Sequence, residues 1–433
     1  MKNKKSYQFR LYPNRETLQK MKKTLEMCRQ TYNELLSMKQ ATYEVTHESL
    51  TKFDMDKCIR YGIDADISQV HSQVLQNIND RIDKAYINFF RRLNEKRAGK
   101  KIKVGYPRFK KKYKSFTYPQ FGFKLNNNKL RLAKIGTINI RIGRKQNRPS
   151  GKIKTLTIKR EPSGKWFAIF SSIEKERKNH KINNKKIGID VGLEYFAMLS
   201  DGIKVDNPRF LIESEKRLKM LNRRLSRKKL CGKNWERARQ KVALLYEHIA
   251  NQRHDFQHQL SHRIVSGYGT IAIEKLNIKG MIRHPYLAKH ISDASWGTFA
   301  RMLCYKAENA GAEVLEVDPR GTSQMCSVCG NKVPKTLAQR WHRCPYCGVV
   351  LQRDLNSARN ILTVGTTGKY ACGDGSSVLI AQKRLEHSLS KKQEAILNGS
   401  SLGMWVFLMG YLEGGANLSP EGKILCGKGF QGA

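Results

Sequence analysis

Four cysteines and three acids stand out in this sequence as side chains whose types and spacing fit chemistry. Cys326 and Cys329 form one C-x-x-C knuckle, Cys344 and Cys347 form a second, and fourteen residues separate them. A glycine follows each pair (Gly330, Gly348), which suits the tight turn that lets both thiolates face one ion. Four thiolates in two such pairs are the ligand set of a closed, tetrahedral structural zinc site. The doubled spacing argues against four incidental buried thiols. The expected contribution of that zinc is stability rather than chemistry.

The acids are Asp190, Glu274 and Asp354. Asp190 sits in KKIGIDVG, a carboxylate among apolar strand neighbours, and a buried Asp is costly unless it is paired or bound to a metal. Glu274 closes the β-rich run YGTIAIEKL. Asp354 follows the second knuckle and opens an apolar, helix-like run; taken alone it reads more readily as a helix N-cap than as a catalyst. Together, two or three carboxylates meet the needs of Mg²⁺, which takes hard oxygens and keeps positions open for phosphate. Two such ions can hold the attacking and leaving oxygens of an in-line phosphodiester displacement. Neither a Ser-His-Asp set nor a Walker loop competes for the role.

Elements to position these groups can be read around them. Residues 187–191 form an apolar strand carrying Asp190, and after Gly192 a second strand completes a hairpin that ends in Asp201–Gly202. A long basic helical stretch at 213–264, interrupted near 231–233, reads as a two-helix hairpin. After the strand that ends in Glu274, residues 277–289 read as a mobile basic loop. Residues 296–310 read as a helix and AEVLEV (312–317) as a strand. Strands and helices in that order predict an α/β sheet that gathers the acids at one place.

Upstream, YQFRLY (7–12) alternates as a short strand that Pro13 ends. Apolar residues then recur at helical spacing from Leu18 to Leu36, and again between 67 and 92. The polar face of the second helix carries His71, Ser72, Gln73 and Gln76, of which Gln is a reader of adenine edges. Residues 100–114 are dense in Lys and Arg with interleaved aromatics. There Tyr106, Phe109, Tyr113 and Phe116 are candidates to stack on bases, while Arg108, Lys110 and Lys111 hold phosphates. From 121 to 173 five strand-like runs alternate with turn clusters, a small antiparallel β domain whose partner strand is 7–12.

The chain has 433 residues and a formal charge of +46, which calls for a polyanionic partner, and nucleic acid is the usual one. The excess is not a tail effect, since six Lys or Arg and four Asp or Glu follow Ala381. Of ten cysteines, six lie outside the knuckles without pairing logic, as in a reducing compartment. The N-terminus lacks the apolar core of a signal peptide. The longest apolar run, 404–412, is too short to span a membrane.

At these residues the chain resembles the TnpB family, RNA-guided nucleases of insertion sequences related to type V CRISPR effectors. YQFRLYPN, YPRFKKK, GIDVGLEYFAMLSDG, IEKLNIKGM, ISDASWGTF, TSQMCSVCG, CPYCG and RDLNSARN carry the resemblance in order, from about residue 7 to 370. It implies a multidomain α+β fold. A RuvC-like, RNase H-type nuclease domain (183–322 and 350–381) would be split by a zinc ribbon (323–349). An oligonucleotide-binding β-barrel (1–13 and 101–182) would be interrupted by a helical recognition lobe (14–100). The family's catalytic triad falls on Asp190, Glu274 and Asp354, with Mg²⁺ as catalytic and Zn²⁺ as structural cofactor. The implied partners are a guide RNA from the element end and a double-stranded DNA target. A monomeric protein in a prokaryotic, cytoplasmic, nucleoid-associated ribonucleoprotein is expected. Base pairing would then read the sequence and the protein a short motif beside the target, for which Ser72, Gln73, Gln76 and, on the barrel side, Gln120 are candidates. Gln352 departs from the acid or histidine of many relatives, and the tail 382–433 matches no signature; its glycine-rich end reads as disordered. Two other readings compete: a nuclease-inactive RNA-guided repressor, whose relatives lose triad acids, and a transposase that itself joins DNA ends.

Overall fold

The computed structural model describes residues 3–61, 65–143, 148–149, 151–174, 183–336 and 338–369. The tail 382–433 therefore lies outside the described residues. The N-terminal strand β1 (Asn3–Tyr12) is separated from its partners by a helical insertion: α1 (Arg15–Thr46), α2 (Lys52–Tyr61), a 3-10 turn at Ala65–Gln69, and α3 (Ser72–Arg97). Strands β2 (Ser115–Tyr118), β3 (Phe123–Asn126), β4 (Lys129–Leu132), β5 (Gly136–Arg141), β6 (Lys152–Arg160) and β7 (Trp166–Glu174) follow. The seven strands form one antiparallel sheet in the order β2-β6-β7-β1-β5-β4-β3. Every second residue points inward, as a pleated strand requires: Phe9 and Leu11, Leu156 and Ile158, Ala168 and Phe170 are buried in one core. The outermost strands, β2 and β3, are joined by residues 119–122, and the Tyr118 and Phe123 rings meet edge to face at 6.3 Å. The sheet is thus rolled until it nearly closes.

Helix α1 starts where Asn14 Oδ1 accepts the Thr17 N–H at 2.8 Å, an N-cap bond. Its buried stripe of Met21, Leu25, Cys28, Tyr32, Leu35 and Leu36 packs with Val74, Leu75, Ile78 and Ile82 of α3 in the same core as the seven-stranded sheet. Two features escaped the sequence reading. SFTY, just past the basic run and holding the stacking candidate Phe116, is strand β2, and α2 was not foreseen because it buries a single residue, Met55.

The second unit begins with β8 (Lys186–Val191), β9 (Tyr195–Leu199) and β10 (Lys204–Asp206), then α4 (Phe210–Glu213), α5 (Glu215–Ser226) and the long α6 (Lys233–Gly267). Next come β11 (Thr270–Glu274), α7 (Ile278–Met281), α8 (Ala288–Ala294), α9 (Trp296–Ala310) and β12 (Glu313–Val317). The expected loop at 277–289 is thus partly helical. Asn277 caps α7 by accepting the Gly280 N–H, and Asp293 of α8 pairs with Arg253 at 2.7 Å. The short ribbon strands β13 (Trp341–Arg343) and β14 (Val350–Gln352) lead directly into α10 (Arg353–Thr367).

The sheet order is β10-β9-β8-β11-β12. The hairpin strands are antiparallel, while β11 runs parallel to both β8 and β12. Ile187, Ile189, Ile271 and Ile273 face a core built with Leu260, Ile264, Phe299 and Leu303 of α6 and α9. The opposite face, at Ala272 and Val317, packs on Ile361 of α10.

Candidate active site

Strand alternation fixes where two acids point. Asp190 is two residues past Gly188 and Glu274 is two past Ala272, so both project from the face that α10 covers. They are also neighbours across the sheet. Ile189 pairs with Ile273 in parallel register, and Asp190 and Glu274 are the next residues on their strands. Both stand at the C-terminal ends of parallel strands, where open α/β sheets place their sites.

The third acid arrives with α10. A Cβ on Gly188 would sit 2.1 Å from the Ala358 carbonyl oxygen and 2.8 Å from Leu362. A Cβ there would have to displace the helix, so glycine is what lets α10 lie against β8. Gly365 does the same further along, where a Cβ would meet that of Ala272 at 2.8 Å. Asp354 lies in the first turn of α10, with Arg353 Nε donating to its Oδ1 at 3.0 Å.

Burial, then Glu274, then Asp354 push the Asp190 carboxyl well above its ordinary range; Arg353 and a hydrogen bond from Ser357 oppose the shift. Burial also raises Glu274, against a hydrogen bond from Thr322 and helped by Asp318. These three groups are thus close enough to feel one another in a place where like charges are poorly screened. An all-oxygen donor set short of positive charge is what a hard divalent cation fits, and Asp190, Glu274 and Asp354 are the residues that would hold it.

The cysteines form the other site. Gly330 N–H donates to the Cys326 carbonyl and Gly348 N–H to that of Cys344, each at 2.9 Å, with φ of 73° and 74°. The two knuckles are therefore the same turn, used twice. Sγ–Sγ distances are 3.7 Å for Cys326–Cys347 and 3.5 Å for Cys329–Cys344. Tetrahedral Zn–S bonds of about 2.3 Å would set sulfurs about 3.8 Å apart, so the thiols fit zinc. Among the described residues they are the one set of three or more His, Cys, Asp or Glu side chains whose donor atoms all lie within 4.8 Å of one another. By that measure the carboxylates are a looser group.

Ribbon and acids are physically joined. Asn356 and Asn360, one helical turn apart on α10, both donate to the Met325 carbonyl at 2.7 Å. Asn360 also donates to the Thr322 carbonyl, and Ser327 N–H donates to Asn356 Oδ1. Thr322 Oγ1 donates to Glu274 Oε1 at 2.6 Å. Sequence reasoning missed the roles of Thr322, Arg353, Ser357 and the asparagine pair. The one available signal was the i, i+4 spacing of Asn356 and Asn360, which puts two amides on one helix face.

The candidate nucleic-acid contacts are spread over the other unit. Ser72 and Gln76 are exposed at the start of α3. Gln73 Oε1 instead accepts the Phe121 and Gln120 N–H groups at 2.8 and 3.3 Å, tying α3 to the β2–β3 connection next to the exposed Gln120. His71 serves as the N-cap of α3. Arg108, Lys110 and Lys111 are exposed, and Phe109 is 54% exposed. Tyr106 keeps an exposed edge but packs on Phe89 and hydrogen-bonds Tyr86 at 3.0 Å. Two stacking candidates are corrected: Phe116 is wholly buried in the core of the seven-stranded sheet, and Tyr113 packs on Tyr32 at 6.0 Å. The pleat of β2 turns Phe116 inward, with Ser115 and Thr117 on the other side of the strand; Tyr113 precedes β2 and is engaged instead by Tyr32 and Arg81.

Comparison with known proteins bears on these features. A "Putative RNA-guided DNA endonuclease" of Streptomyces pristinaespiralis is 31% identical over 390 residues, 86% of this chain and 92% of that protein. The chain belongs to the TnpB family. Its relative InsQ, of the same description, from Escherichia coli (strain K12) is 29% identical over 86% of this chain and 95% of its own. A CRISPR-associated endodeoxyribonuclease, Cas12f1, of Sulfoacidibacillus thermotolerans is 30% identical over 41% of this chain and 45% of its own. The TnpB chain also matches three family models: "Probable transposase" at 170–284, "Cas12f1-like, TNB domain" at 296–361, and "Helix-turn-helix domain" at 1–48. In that last segment the structure has β1 and one continuous helix, α1.

Proposed function

We propose that this TnpB protein is an RNA-guided DNA endonuclease in which Asp190, Glu274 and Asp354 hold Mg²⁺ for phosphodiester hydrolysis. The observation that carries the reading is the convergence of these acids from β8, the adjacent parallel β11, and the start of α10. The mixed sheet, whose central strand β8 has its antiparallel hairpin partner on one side and the later parallel strands β11 and β12 on the other, supports a RuvC-like, RNase H-type assignment for 183–322 and 350–381. The four-thiol ribbon at 323–349 supports a structural Zn²⁺ site inserted into it. The nearly closed sheet with helices between β1 and β2 supports a barrel at 1–13 and 101–182 interrupted by a recognition lobe at 14–100.

Bound Mg²⁺ would supply Lewis acidity for the scissile phosphate and an acidified water. The chain's own residues do the rest. Asp190 and Glu274 present oxygens from rigid strands, Thr322 holds Glu274, Arg353 balances the charge of Asp354, and α10 excludes water from behind the site. The charge of +46 supports partners that are a guide RNA and duplex DNA, bound largely through phosphates. No described helix is long and apolar enough to cross a membrane, which accords with a cytoplasmic ribonucleoprotein. All three acids are retained, which argues against the nuclease-inactive repressor. For the transposase reading, no separate strand-transfer tyrosine with metal-binding histidines stands out.

The test is cleavage of a plasmid carrying a guide-matched target. Asp190→Ala is expected to abolish cutting while RNA binding is kept; cutting that survives the change refutes the assignment. Joined element ends from the protein without RNA would instead favour the transposase.

A further inference from the structure

Thr322 is not one of the three acids and holds no zinc, yet it sits between the two sites. Its side chain is 1% exposed, and Oγ1 lies 2.6 Å from Glu274 Oε1 and 3.1 Å from the Pro319 carbonyl. Its own carbonyl accepts from Asn360. The loop that follows is fastened at Met325 and Ser327, on either side of Cys326, by Asn356 and Asn360. The hydroxyl is therefore held in place by the helix that carries Asp354 and by the turn that carries the first thiol.

We infer that Thr322 is a positioning residue, locking Glu274 in the rotamer that meets a divalent cation, with the asparagine clasp on the ribbon as its anchor. The physical need is local. Glu274 has Asp190 beside it on β8 and Asp318 beyond β12, with the Arg353–Asp354 pair on α10; Lys275 points away, to Glu316 at 3.3 Å. A carboxylate among acids gains by swinging out of the group. One buried hydroxyl on a fixed loop opposes that swing, as partners behind metal-ligating carboxylates do elsewhere.

This inference rests on the three-acid reading, and its test separates the two. The probe is Fe²⁺ in place of Mg²⁺ on the full chain with its bound RNA; ascorbate and peroxide then cut the polypeptide backbone near bound iron, and mass spectrometry locates the cuts. Cuts near residues 190, 274 and 354 are expected in the native protein and lost in Glu274→Gln. Thr322→Val is expected to need roughly 10-fold or more Fe²⁺ for half-maximal local cutting, with zinc content and target-DNA affinity unchanged and the rate of DNA cleavage lowered. Thr322→Ser, which keeps the hydroxyl, is expected to restore all of these. Native iron response in Thr322→Val, or a Thr322→Ser as impaired as the valine variant, overturns the inference. If Glu274→Gln itself keeps the local cuts, the three-acid reading has failed, and this inference with it.

Discussion

The two candidate metal sites of this molecule lie on either side of one loop and are built in opposite ways. The four thiols converge within 4.8 Å on turns closed by backbone hydrogen bonds, whereas the three acids stand further apart, with Arg353 on one of them. The difference follows from charge. A neutral thiol tolerates close neighbours, so its cluster can be preformed, though the Asn331 backbone N–H already draws the Cys329 thiol down to about 6. Carboxylates are ionised near neutral pH and repel in a poorly solvated place. A structural site is closed, while a site that must admit phosphate and water keeps room.

That contrast can be broken from either side. On the thiol side, Cys344→Ser should have the largest effect. It removes one of four ligands from a site of a kind whose binding contributes about 10 kcal/mol or more to folding. Bound zinc should fall well below one per chain and the protein's melting midpoint should drop; full occupancy in an elemental assay would show that the four thiols are not the site. On the acid side, Asp190→Ala should lower cleavage by on the order of 1000-fold or more, the loss of several kcal/mol of charge stabilisation, with zinc content intact. Gly188→Ala comes next. Its new methyl would displace α10, costing about 1–3 kcal/mol of stability and, by shifting Asp354, roughly 100-fold in cleavage rate. An unchanged rate would mean that α10 does not set the position of the acid.

The smallest effect is one of pH. Asp190 titrates above its ordinary range in the folded chain, so the folded protein holds a proton there that the unfolded chain has already released. Without Mg²⁺, stability should therefore decline as pH rises from the usual carboxylate range through that raised value. Added Mg²⁺ should offset the decline, and Asp190→Asn should flatten it. A thermal midpoint in Mg²⁺-free buffer that climbs over the same interval would contradict this.

Much of this arrangement was legible from residues alone, and the exceptions have physical reasons. The knuckles were readable because metal ligation imposes fixed spacing, and the strands of Asp190 and Glu274 because each short apolar run carries a single acid at or next to its end. The helix at 296–310 was bounded by its apolar period and by Gly311. What could not be read were contacts made across distance. Nothing in the sequence ties Thr322 to Glu274, 48 residues away, or Gln73 to Phe121. Phe116 and Tyr113 read as stacking aromatics because they stand among lysines; only the pairing of β2 with β6 shows that Phe116 is on the core side of its strand, and only the contact with Tyr32 shows that the Tyr113 ring is packed within the protein. The 277–289 stretch read as loop because its helices are short and held by caps and by Arg253 rather than by a long apolar stripe.

The most direct test is to locate the ions. Crystals or particles of the full chain with its RNA and target DNA, prepared with Mn²⁺, should show manganese bound by Asp190, Glu274 and Asp354, and zinc within the four cysteines. Manganese found elsewhere, with those three carboxylates turned to different partners, would contradict the account.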